Sequence, residues 1–216
     1  MALNQHATLL CSLPRLPADF EQPHVPLSWP RMENRLRMLD ADEVRLLATL
    51  GAFWRWELAR PDHDPVRLYE ELLALGQDDD GLLECVETLA DIRMLTVAVR
   101  AKAMDRTVAA AVGRWGAHVL RHWQLPEFGL GLRFPWLAEY GHHLENRQYA
   151  QAERTACRVI WQQMAAIADR HYFDLVAIIA YLVRWDLISR WAARDSEAGR
   201  DRFHTLVKEA LGDYAG

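Results

Sequence analysis

The stretch FDLVAIIAYLVRWDLISRW, Phe173 to Trp191, limits the folds open to this chain more than any other. From Leu175 to Val183 nine consecutive residues carry no charge, and then Arg184, Asp186 and Arg190 follow. Nine uncharged residues are far too few to cross a bilayer, which takes about 20. At about 100° per residue, Leu175, Ile179, Leu182 and Val183 share one helix face with Asp186 and Arg190, and Ala177, Tyr181, Ile188 and Trp191 fall on the other. A helix that is apolar nearly all round is expected to be buried, so the stretch reads as the central strut of a helical protein. Asp186 four residues before Arg190 is the favoured order for an ion pair. The pair is either a structural lock or faces a groove where a partner docks. Catalysis would need a second acid, base or nucleophile nearby, and the sequence supplies none.

The rest of the chain organises around that strut. Seven of the nine prolines fall between Pro14 and Pro65, so LPRLPADFEQPHVPLSWP is an extended connector, because proline removes a donor and keeps its neighbours out of helix. Its Leu13, Leu16, Phe20, Val25, Leu27 and Trp29 imply that it is draped over the body. Asp40 with Glu43 has the spacing of a capping box, and Asp64-Pro65 is an N-cap followed by a first-turn proline. Further helices are expected from Asp80-Gly81, across roughly 106–123, across about 146–169, and in a last helix capped by Ser196. No stretch alternates with period two, so the expected class is all-α, a multi-helix bundle. The expected division is an extended segment at 1–30, helical units at 31–125 and 146–216, and a connecting segment at 126–145, or one continuous domain.

The chemistry is sparse. With a net charge of −5, the chain is a poor general nucleic-acid binder, which needs a basic face. All basic residues but Lys102 and Lys208 are arginine, which suits planar, buried or interfacial ion pairs. Cys11, Cys85 and Cys157 are odd in number and far apart, as free thiols in a reducing compartment are. ATLLCS fails as a lipoprotein signal for want of a basic leader and a small residue at Leu10. The reading is a cytoplasmic protein with no membrane-inserted segment, at most peripheral on the cytoplasmic face of the inner membrane.

GQDDDGLLECVE resembles a calcium loop, with Asp78, Asp80, Gly81 and Glu87 in place, but Gly76 stands where the entry carboxylate belongs. The plainer reading is an acidic turn with Asp80 as N-cap. His118 and His122 have metal-ligand spacing without HExxH or a carboxylate on that helix. Packing or surface histidines are the default there, and a helical metalloprotein is a third reading of function. His142-His143 reads as a solvated turn. No phosphate loop, dinucleotide loop or nucleophile elbow occurs, so no catalytic residue, metal ligand or cofactor is assigned. Most of the nine tryptophans belong to the core. Trp29, Trp54, Trp56 and Trp136 lie near proline-rich or interhelical segments and are candidate interface residues, tryptophan and arginine being enriched at hot spots.

TLLCSLPRLP, PLSWPRMENRL, LDADEVRLLATL, FPWLAEY and YFDLVAIIAYLVRWDLISRWAARDSEAGRDRF resemble an uncharacterised bacterial helical family whose genes lie in clusters for V/A-type rotary ATPases. DIRMLTVAVRAKAMD, with Asp91 and Arg100 nine residues apart, is also similar to the repeated helix of the protein that connects the central stalk of those ATPases to the rotor ring. Met94 replaces the asparagine usual there. FDLVAIIAYLVRWD is a candidate second copy, with ten residues from Asp174 to Arg184. The resemblance implies a non-enzymatic accessory or connector subunit that couples rotor ring and central stalk, with other ATPase subunits as partners and no cofactor. The alternative is an assembly factor for the same complex. Under this resemblance Asp91, Arg100, Arg184, Asp186 and Arg190 are structural ion-pair or partner-contact residues.

Overall fold

In the computed structural model the chain is described at residues 2–54, 64–108 and 110–212, with side chains described from residue 5 to 194 within those limits. It is all-α: helices α1 (Ala2–Ser12), α2 (Trp29–Leu36), α3 (Ala41–Trp54), α4 (Pro65–Gly76), α5 (Asp80–Ala103), α6 (Gly116–Arg121), α7 (Trp136–Glu145), α8 (Tyr149–Ala168) and α9 (Leu175–Gly212) follow in order, with no strand among the described residues.

Helix starts obey local chemistry. The Asp40 carboxylate accepts from the Glu43 amide and the Glu43 carboxylate accepts from the Asp40 amide, both at 2.9 Å, which closes the expected capping box of α3. Asp64 accepts from the Val66 amide and Pro65 opens α4. At α5 the cap is Asp79, one residue before the expected Asp80, and its carboxylate accepts from Leu82 N at 2.9 Å.

Three expectations are corrected. Segment 1–30 is not extended throughout, because its first residues form α1, which ends where Pro14 forbids continuation. The helix expected over 106–123 is reduced to α6, since Asp105 turns to φ 54° and the chain folds back toward α5. Helix propensity at Ala110, Ala111 and Val112 yields there to the bonds that Arg114 and Trp115 make to Asp91. No helix starts at Ser196: α9 passes through it and is 38 residues long, about 57 Å at 1.5 Å per residue. Serine inside a helix costs only a fraction of a kcal/mol against alanine, too little to stop it.

The expected central strut is present. Val176, Ile178, Ile179, Ala180, Val183, Leu187 and Ile188 of α9 are buried. Most of them join a main core shared with α3, α4, α5 and α8, while Tyr181 and Trp185 close a smaller cluster with Leu27 and Met32, and Ile178 another with Leu9 and Leu39. The far half of α5, from Met94 to Val99, packs with α6 and α7. The connector 13–28 is draped as expected. Tyr181 Oη donates to Pro14 O at 2.8 Å and Trp161 Nε1 to Ala18 O at 3.1 Å, Phe20 is buried against Trp161 and Trp191, and Arg154 grips Glu21 with two bonds of 2.6 and 2.5 Å.

Candidate partner-binding groove

Asp186, the carboxylate of the Asp186/Arg190 pair, lines an apolar groove. Arg190 Nε is 3.1 Å from Asp186 Oδ2, and Trp54 Nε1 donates to the same oxygen at 3.1 Å. The Arg190 guanidinium carbon sits 4.6 Å over the Trp54 ring. A buried carboxylate needs both a counter-charge and donors to its lone pairs, and here an i+4 arginine and an indole 132 residues away supply them. The groove has a volume of about 320 Å³ and is bounded by Trp29 and Leu36 of α2, Gly51 and Trp54 of α3, and Leu182 and Asp186 of α9. Trp29, 52% exposed, leans on buried Trp185 at 5.9 Å and forms the rim. A Cβ added at Gly51 meets nothing within 4 Å, so the groove is open space up to the α3 backbone. An apolar cleft with an exposed tryptophan at its lip and one carboxylate in its lining is suited to an apolar side chain from another protein.

The other candidate residues go elsewhere. Asp91, 2% exposed, is held by Arg114, whose Nε donates to Oδ2 at 2.8 Å and whose Nη2 approaches it at 2.7 Å, with Trp115 N at 3.4 Å from Oδ1. Burial raises the Asp91 pKa above its ordinary value, and Arg114 works against that. Arg100 is not in this site. Nine residues from Asp91 on one helix is two and a half turns, which places it on the opposite side, where it lies 5.8 Å over the Tyr140 ring. Arg114, which sequence reasoning missed, lies in a loop, and only the backbone at Gly113 brings it home. Gly113 has φ +75°, and a Cβ there would fall 2.5 Å from Asp91 Oδ1.

Asp174 does not repeat the environment of Asp91. It precedes α9, accepts from the Ala177 amide at 2.8 Å and from His171 at 2.8 Å, and is 38% exposed at its side chain. The buried counterpart of Asp91 on α9 is Asp186. Arg184 lies over Trp161 at 5.6 Å and lines a different cavity.

Of the candidate interface tryptophans, Trp29 is exposed. Trp54 is buried and bonds Asp186, so it is a core and groove residue. Trp136 is partly buried and packs against both larger clusters. Trp56 lies outside the described residues.

The imidazoles of His118 and His122 stack at 4.1 Å, and each has a ring nitrogen at a carbonyl, Phe128 O at 3.1 Å and His118 O at 3.0 Å. His142 and His143 lie in the last turn of α7, not in a turn of the connector. The GQDDDG segment is a helix–helix joint whose Glu87 is deep within α5. Gly81 is there because a Cβ would strike the His171 ring at 2.4 Å. No cluster of three or more metal-ligating side chains occurs among the described residues, and none of their helices is long and apolar enough to cross a membrane. Cys85 is buried, and burial pushes its thiol up to about 12, the reverse of a reactive cysteine.

Fold and groove together define a helical scaffold with an apolar cleft beside Trp29. The chain belongs to the DUF2764 family, described as a protein of unknown function, whose model matches residues 82–212, more than half of the sequence. No curated protein and no solved structure matches it.

Proposed function

We propose that the protein is a non-enzymatic accessory or connector subunit of a V/A-type rotary ATPase, coupling rotor ring and central stalk. The proposal starts from the chain-wide resemblance to the family found in those gene clusters. The observation that carries it in the structure is the pairing of long helices with internal locks. Helices α5 and α9, 24 and 38 residues long, each bury an aspartate tied to an arginine and to a third donor. Such a body resists bending, as an element that transmits torque must. The groove beside Trp29 supplies a grip for an apolar side chain of a neighbouring subunit.

The test is a tagged pull-down from detergent-solubilised native membranes, with subunits identified and counted by mass spectrometry. Head and rotor subunits recovered with one copy of this protein per complex support the subunit role. Recovery with a single free subunit sinks it in favour of an assembly factor. A Gly51→Leu variant sharpens the result, since it fills the groove from a position with open space above it. It should fold normally and lose the complex; retention at wild-type levels removes the groove from the interface.

A further inference from the structure

The proline-flanked strap LPRLPA, residues 13–18, crosses α8 and α9 over a second cavity of about 730 Å³. Proline fixes its own φ and holds the residue before it extended, so Leu13 and Leu16, ahead of Pro14 and Pro17, are held extended on either side of Arg15. The strap is tied down at Pro14 by Tyr181 and at Ala18 by Trp161, and the hollow lies beneath the arch between those ties. Its charged lining is two arginines, Arg15 from the strap and Arg184 from α9, against one carboxylate, Asp169 at the end of α8.

Arg184 is the unusual member. Its Nε donates weakly to Ala180 O at 3.3 Å, and the guanidinium carbon lies 5.6 Å over the Trp161 ring. Stacking occupies the guanidinium face and leaves the in-plane N–H groups of its two terminal nitrogens, which meet no acceptor among the described residues. Asp169 is near enough to act on Arg184 through space but makes no ion pair with it. Arg15 is exposed and likewise has no acceptor among the described residues. A half-buried guanidinium with unused donors, in a polar cavity with a second arginine across it, is built like an oxyanion receptor.

We propose that this cavity binds a small organic oxyanion, a carboxylate or a phosphate ester, with its charged end on Arg184 and Arg15 closing over it from the strap. Asp169, at the same rim, favours a ligand that also carries a hydroxyl or ammonium donor. The site is separate from the groove beside Trp29 and does not depend on the ATPase role.

The experiment is calorimetric titration of the full-length chain with inorganic phosphate and, separately, with succinate at low ionic strength, where ion pairing is least screened. Saturable one-to-one binding is expected for at least one of the two. Arg184→Gln should weaken it roughly tenfold or more, as loss of charge-assisted bonds does, and exposed Arg15→Gln by a few-fold. Both variants are checked for unchanged helicity by circular dichroism. Phosphate bound in preference to succinate assigns a phosphate-bearing ligand; the reverse assigns a carboxylate. Absence of saturable binding to either, or an affinity unaltered in Arg15→Gln and Arg184→Gln, overturns the proposal. Should Arg184→Gln not fold, Arg15→Gln alone decides, because its side chain supports no packing.

Discussion

The aspartates of α5 and α9 are both buried and both held by an arginine, yet they do different work. Asp91 is bound by a residue 23 positions away in a loop, so its lock fixes irregular backbone against α5. Asp186 is bound by its own helix and by Trp54 from α3, so its lock joins two helices beside an open groove. The first closes a structure; the second leaves one side free. A buried charge tolerates either arrangement provided its lone pairs are filled, and the origin of the partner determines whether the site ends as core or as surface.

Removing the second lock should cost most. Asp186→Ala leaves the Trp54 indole N–H and a partly buried Arg190 without their shared acceptor, and a loss of about 3–5 kcal/mol is expected in urea denaturation. A loss below about 1 kcal/mol would mean that water already reaches the carboxylate through the groove, and the contrast with Asp91 would be one of solvation. Gly113→Ala attacks the first lock through the backbone. With φ +75° and a contact at 2.5 Å to Asp91, it should cost roughly 2–3 kcal/mol while leaving α9 and the groove intact, as read by tryptophan fluorescence.

The effect of pH on Asp91 is smaller and has a definite sign. Its carboxyl is raised in the folded protein, chiefly by burial, so the folded state takes up a proton at a pH where the unfolded chain stays ionised. That contribution to stability is complete below the ordinary aspartate pKa and is lost as pH rises through the raised value. Wild type should therefore gain stability relative to Asp91→Asn as the pH is lowered from neutrality through that window; a stability difference that does not change with pH would show that Arg114 balances burial, and a loss on acidification that Arg114 outweighs it. The smallest change is Gly51→Ala, which should stabilise α3 by about 0.5–1 kcal/mol, because the added methyl enters open groove. A destabilisation there would show the groove to be filled in solution.

Much of this is legible in the residues. The buried strut, the capping box at Asp40/Glu43 and the proline-opened α4 all follow from spacing along one segment. The partner of Asp91 is not legible, since Arg114 sits in an Ala- and Val-rich run that reads as helix until the fold bends it back. Trp54 reads as surface because it neighbours a proline-bearing segment, and only the approach of α9 turns it inward. The His6–Glu43 contact at 2.5 Å, which ties α1 to α3, has no sequence signal at all, because Glu43 is already accounted for by its local cap.

Sequence alone determined the helical class, the burial of 175–191 and the pairing of Asp186 with Arg190, because each depends on periodicity within a few turns of one helix. Tertiary structure decided which face of that pair meets Trp54, that a groove remains beside it, and that the strap arches over Arg184. Those outcomes depend on how helices far apart in the chain stack and on where a loop's φ angles turn it, and neither is encoded in local spacing.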